Sequence, residues 1–123
     1  MELIVNQEYE KLLPKLPIDE YEALKQSVKS EGQHFPISVN SKGIVLDGHH
    51  RLRICRELGL EPKFEVKDFP SELHEKRFVI ESNLLRRQLT TFQRVEMAKP
   101  LLEIEKELAK ERQLSQNFGG VGR

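Results

Sequence analysis

The spacing of apolar residues changes several times along this chain, and each change predicts a new element. Tyr21, Leu24 and Val28 recur at helical intervals behind Asp19, with Glu22 three residues on as a capping box and Gly32 at a C-cap position. That pattern predicts a helix over about residues 20–31. Pro36-Ile37-Ser38-Val39 and Gly43-Ile44-Val45-Leu46 are short β-prone runs joined by Asn40-Ser41-Lys42, which predicts a hairpin. A second helix is predicted from about His49 to Leu58, stopped by Gly59, followed by a strand over Pro62-Lys63-Phe64-Glu65-Val66. Ser71 opens a further helix through Leu73, Arg77, Phe78 and Ile80 to about Leu84, and Thr90 with Gln93 forms another capping box for a last helix. Upstream, Leu3-Ile4-Val5 reads as a short strand, and the stretch from Leu12 to Pro17 as an extended lead-in broken by two prolines.

Within the last helix Pro100 lacks a donor for the carbonyl of Glu96, so a kink or break is expected there. Leu101, Ile104 and Leu108 continue an apolar stripe, while Glu103, Glu105, Lys106, Glu107, Lys110, Glu111 and Arg112 coat the other faces. A narrow stripe on a charged helix packs on its own domain or on a second copy. The pattern divides the chain into a core over 1–89, a helical extension over 90–116 for a dimer or DNA contact, and a flexible end or linker over 117–123.

At 123 residues the chain fits one compact domain. Basic and acidic residues number 20 each, so the net charge is zero and no global field marks a nucleic-acid or membrane binder. Any such function must come from local clustering. The one cysteine, Cys55, shares a helical face with Leu52 and Leu58 and is expected in the core; it permits neither an internal disulfide nor a cysteine-cluster metal site. No apolar run approaches the ~18 residues a membrane span needs, and no signal-peptide pattern follows Met1. A cytoplasmic protein without membrane contact is expected.

Local chemistry concentrates in Val45-Leu46-Asp47-Gly48-His49-His50-Arg51-Leu52-Arg53-Ile54, an apolar strand passing through one glycine into a helix opened by imidazoles and guanidiniums. Backbone N–H groups at a helix N-terminus carry roughly half a positive charge, and glycine lets an anion approach without a Cβ in the way. Cationic side chains there cost about 0.3–1 kcal/mol unless something negative binds. Gly48, His49, His50, Arg51 and Arg53 therefore read as a phosphate site, against the plainer alternative of a ligand-free strand–turn–helix. A second cluster runs from Leu84 to Arg94, with three arginines and no acid in eleven residues. It is either a solvated turn or a place where Arg86 and Arg87 meet a second phosphate or a DNA backbone. Glu81, Ser82 and Asn83 just before it could supply oxygen ligands to Mg²⁺. His34 and His74 form no zinc pattern, and P-loop, nucleophile-elbow and His-Glu-x-x-His motifs are absent.

Taken in order, these segments resemble the N-terminal domain of the ParB and sulfiredoxin-like superfamily over about Leu16 to Leu108. The helix from Glu20 to Gly32 followed by Pro36-Ile37-Ser38-Val39 is similar to that family's helix, glycine, proline and strand. Gly48-His49-His50-Arg51-Leu52-Arg53 stands where ParB proteins have Gly-Glu-Arg-Arg-x-Arg and sulfiredoxins Gly-Cys-His-Arg, and is also similar to the free-serine kinases of the superfamily. Asn83-Leu84-Leu85-Arg86-Arg87-Gln88-Leu89-Thr90 resembles the ParB segment Glu-Asn-x-x-Arg-x-x-Leu.

The resemblance implies an α+β fold, a small mixed sheet with packed helices and a C-terminal helical extension. It implies a nucleoside triphosphate, CTP or ATP, on Gly48, His49, His50 and Arg51 with support from Arg53 and Arg86, and Mg²⁺ near Asn83. It also implies a switch domain of a DNA-partition or plasmid-maintenance protein, acting with DNA through Arg86, Arg87 and Arg94 and with a second protomer as a homodimer. A slow, CTPase-like NTP hydrolysis is a further implication. Departures bear on the chemistry: Ser82 replaces the glutamate associated with hydrolysis, with Glu81 one residue away as its candidate substitute. His49 removes the sulfiredoxin thiol, His49 and His50 replace an acid and an arginine of the ParB motif, and Phe35 replaces a glutamine. An alternative is a small-molecule kinase using Gly48 to Arg51, with Glu8, Glu10, Asp19 or Glu20 as base. A nuclease ranks last, since Asp19, Asp47 and Asp68 lie far apart in sequence.

Overall fold

In a computed structural model the chain is described over residues 1–13, 15–86 and 90–121, with backbone only at 85–86 and 116–121. It divides into two compact units, Met1–Asp68 and Phe69–Arg123. The first holds α1 (Gln7–Lys11), α2 (Ile18–Glu31), β1 (Ile37–Val39), β2 (Val45–Asp47), α3 (His49–Leu58) and β3 (Phe64–Val66). The second holds α4 (Glu72–Arg86) and α5 (Thr91–Val121). This is the mixed α+β architecture expected from the motif order.

The three strands lie in the order β2-β1-β3. β1 pairs antiparallel with β2, as the hairpin pattern predicts, and parallel with β3 through the α3 crossover. Asn40 closes the hairpin: its side-chain oxygen accepts from the N–H groups of Lys42 at 2.9 Å and Ile44 at 3.0 Å. The register shifts between Ser38 and Val39, which sets Ser38 against Asp47 and Val39 against Val45. β1 and β2 are buried throughout, whereas β3 is an exposed edge.

α3 sits between two apolar clusters. On one side Leu52 joins Leu3, Ile37, Val39 and Val45; on the other Ile54 joins Tyr21 and Val28 of α2. Cys55, on the same helix, is buried as its spacing predicts.

Two expectations in this unit are corrected, and one helix was not foreseen. The Leu3-Ile4-Val5 strand reduces to one parallel bridge between Ile4 and Ile44, because the chain turns at once into α1. α1 was not signalled by periodicity, five residues being too few to show any, but Asn6 caps it by accepting from Glu8 and Tyr9 N–H, and Tyr9 is buried. The Asp19–Glu22 capping box does not form. α2 begins at Ile18 with Pro17 as its N-cap, where the ring fixes φ at −55°, and Asp19 and Glu20 fall inside the first turn, where they favour the helix dipole instead.

The second unit is a helical hairpin. The Thr90–Gln93 box forms as predicted, Thr90 N–H donating to Gln93 Oε1 at 3.0 Å and Gln93 N–H to Thr90 Oγ1 at 3.1 Å. Val79 and Ile80 of α4 and Met97, Ile104 and Leu108 of α5 are buried, and Arg77 pairs with Glu105 at 3.5 Å. The stripe on the charged helix thus packs within its own unit. The chain accordingly divides before α4 rather than at residue 89, because α4 and α5 bury each other's apolar faces. α5 also runs through Pro100 without the expected break and continues as helix to Val121. One lost N–H leaves the bonds of the neighbouring turns intact, and Met97 and Ile104 anchor the helix on either side of it.

Because Leu52 is 1% exposed and joins α3 to the sheet, Leu52→Ala is expected to lower unfolding stability by about 2–5 kcal/mol. Urea denaturation followed by circular dichroism measures this, and an unchanged midpoint would contradict a load on α3.

Candidate anion site

The turn from β2 into α3 is made by Gly48 at φ +103° and ψ +26°, a left-handed conformation that side chains with a Cβ adopt at a cost. A Cβ there would also lie 3.2 Å from Ile37 Cγ1 and 3.3 Å from Ile37 Cα. Backbone conformation and close packing on β1 both demand glycine. The first helical bond follows, Leu52 N–H donating to the Gly48 carbonyl at 2.9 Å.

The α3 N-terminus differs from the other described helix starts. Asn6 caps α1, Ser71 accepts from His74 N–H at the start of α4, Thr90 caps α5, and α2 has Asp19 and Glu20 in its first turn. α3 has neither a side-chain cap nor an acid there, and carries His49, His50 and Arg51 instead. Within the helix its positive end thus has no side-chain cap and no first-turn carboxylate, while Asp47 and Glu10 act on His49 from outside the helix.

The predicted phosphate residues separate by helical face. His49, His50 and Arg53 line one cleft of about 1070 Å³. Its apolar wall includes Val5, Leu16 and Tyr21, and its rim includes Glu10, Lys11 and Glu57. Arg51 points elsewhere, its guanidinium 5.4 Å from the centre of the Phe35 ring. His49 is 9% exposed, and neither ring nitrogen has a hydrogen-bond partner among the described residues. Burial pushes its pKa below the usual imidazole value of 6.5, against the opposing pull of Glu10 and Asp47. His49 is therefore neutral at pH 7 and offers one donor and one acceptor. His50 packs edge-on to Tyr21, with ring centres 6.4 Å apart.

A charged network absent from the sequence reading borders this cleft. Glu57 accepts from Lys25 Nζ at 3.0 Å and lies 3.3 Å from Arg53 Nε, while the Arg53 guanidinium sits 5.1 Å over the Tyr21 ring. Lys25 above all, then Tyr21, holds the Glu57 carboxyl below its usual range. The i, i+4 spacing of Arg53 and Glu57 was legible, but Lys25 and Tyr21 come from α2 and only packing brings them near.

The second group of predicted residues lies in the α4–α5 unit. Asn83 is buried, its amide Nδ2 donating to the Val79 carbonyl at 2.9 Å. Glu81 is exposed. Arg94 reaches the Leu84 carbonyl at 3.5 Å across the hairpin. Arg87 and the Arg86 side chain lie outside the described residues. Among the described residues no group of three or more His, Cys, Asp or Glu side chains could hold a metal ion, and no helix is long and apolar enough to cross a membrane.

No family model matches the chain. Over 90 residues, 72% of its length, it is 32% identical to the uncharacterized protein ORF326b of Acidianus two-tailed virus, of which the match covers 27%. Two solved structures of a pNOB8-like ParB N-domain superpose on it with TM-scores of 0.70, at 27% and 26% identity, covering 94% of this chain and 45% of theirs. The chain spans less than half the length of these relatives. It has the fold of a ParB N-terminal domain, as its motif order implied, and is a partition-protein-like domain.

Gly48→Ala is expected to destabilise the protein by about 1–3 kcal/mol, since it combines a left-handed alanine with contact on Ile37; a thermal midpoint equal to the parent's would refute that geometry. His49 gives a pH signature. Its folded pKa is depressed, so both states are neutral above about pH 6.5, and as pH falls below that value the unfolded chain takes up the proton first. Stability is thereby lost on the acid side, and His49→Leu should show a shallower fall in melting temperature between pH 7 and pH 5 than the parent. Parallel profiles would mean that His49 titrates normally.

Proposed function

We propose that this domain binds a nucleoside triphosphate, CTP or ATP with Mg²⁺, with its phosphates on the Gly48 turn, and serves as the nucleotide-dependent switch of a DNA-partition protein. The observation that carries the reading is the α3 N-terminus, which has no side-chain cap and no acidic first-turn residue, beside the buried His49 ring, whose nitrogens have no hydrogen-bond partner among the described residues. The likeness to ParB N-domains over 94% of the chain supports the partition context.

In this reading His49 accepts or donates one hydrogen bond as a neutral ring, His50 and Arg53 supply donors from the cleft, and Arg51 reaches the phosphates by leaving the Phe35 ring. In the second unit Arg86 is the proposed further phosphate contact and Asn83 the proposed Mg²⁺ ligand, with Glu81 the candidate for a slow hydrolysis. DNA, met by Arg86, Arg87 and Arg94, and a second protomer are the partners on which such a switch acts.

Calorimetric titration of the purified domain with CTP, ATP and GTP in the presence of Mg²⁺ tests the reading. Binding of CTP or ATP is expected, and Arg51→Ala should weaken it more than tenfold, in line with the ~1.5–3 kcal/mol of a charged hydrogen bond. Equal affinity in Arg51→Ala would remove the phosphates from this turn, and no binding of any nucleotide would overturn the proposal.

A further inference from the structure

Among the described residues Arg53 is the one strong cation of the predicted phosphate set that lines the cleft with His49 and His50. Its side chain nevertheless leans away from the turn where an anion would sit. Gly48 lies five residues towards the α3 N-terminus, about 7.5 Å along the axis, and Glu57 lies four residues in the opposite direction, about 6 Å. Arg53 Nε is 3.3 Å from Glu57 Oε1, and the Tyr21 ring supports the guanidinium from below at 5.1 Å.

Glu57 itself is held in place. Lys25 on α2 binds its second oxygen at 3.0 Å, so the carboxylate bridges two cations from two helices and stands in the cleft that contains His50 and Arg53. A single carboxylate thus occupies the arginine and adds negative charge to the rim of a site that requires an anion.

We propose that Glu57 is an internal competitor for Arg53, so that anion binding at the Gly48 turn proceeds by transfer of the guanidinium from Glu57 to the ligand phosphate. This rests on the nucleotide reading of the turn and adds to it a residue that sets affinity without touching the ligand. Glu57 is a positioning residue. Arg53 rotates about its own side chain between two acceptors on opposite sides of its Cα. Exposed i, i+4 ion pairs are weak, so the exchange is easily driven by a multiply charged ligand.

The test is a double-mutant cycle on CTP binding with Mg²⁺ by calorimetry, in the parent, Glu57→Gln, Arg53→Ala and the double variant. Glu57→Gln is expected to tighten binding about two- to fivefold, the range that an exposed ion pair supports, with the gain shrinking as salt is raised. In the Arg53→Ala background the same change should have little effect, since no guanidinium remains to be released. Unchanged or weaker binding by Glu57→Gln, or an equal gain with and without Arg53, would overturn the competition while leaving the nucleotide site standing. Failure of both parent and Glu57→Gln to bind would overturn the nucleotide reading and the competition together.

Discussion

Everything in the first unit hangs on the seat of α3 against β1. Gly48 turns the chain from β2 into that helix at a left-handed φ, so close to Ile37 that a Cβ would press on it at 3.2 Å. The left-handed turn aims Leu52 at the sheet cluster and, half a turn later, Ile54 at Tyr21 and Val28 of α2. One helix therefore joins the sheet layer to the helical layer, and the same turn that fixes its direction bares its positive end. Fold and candidate site share a single backbone conformation.

Charge is arranged locally on a chain whose total charge is zero. The α3 N-terminus gathers two imidazoles and a guanidinium, but burial removes the charge from His49, and pairing with Glu57 occupies Arg53. What remains is a cleft with an apolar wall, an uncharged ring whose two nitrogens have no partner among the described residues, and a cation already engaged. The solved structures it resembles are ParB N-domains, and the chain covers only part of their length and of the viral relative's.

The second unit obeys simpler rules. Reciprocal capping at Thr90 and Gln93 starts α5, and a stripe of Met97, Ile104 and Leu108 holds it on α4. Pro100 costs one backbone bond without ending the helix, since tertiary packing on both sides of it outweighs a local defect. At α2 a local signal decides instead: Pro17 caps the helix at Ile18, one residue before the capping-box pattern that begins at Asp19.

Elements with periodicity long enough to sample a face were readable from residues alone: α2, α3, α4 and α5, the β1–β2 hairpin and the strand at Phe64. So was the glycine that opens α3, because strand, glycine and basic helix are contiguous. Five-residue α1 was not, nor was the failure of Pro100 to break α5, because both depend on burial of residues supplied by distant segments. The candidate site divides in the same way. Gly48, His49, His50, Arg51 and Arg53 stood out as a run of residue types, but a sequence has no sides. Helical geometry put Arg51 against Phe35 and the other three side chains in a cleft, and only tertiary packing brought Lys25 and Tyr21 to Glu57. The sequence by itself determined where a positive helix end occurs. The tertiary structure decided which side chains surround it and which of their charges are free, because burial and pairing are set by neighbours that no local pattern names.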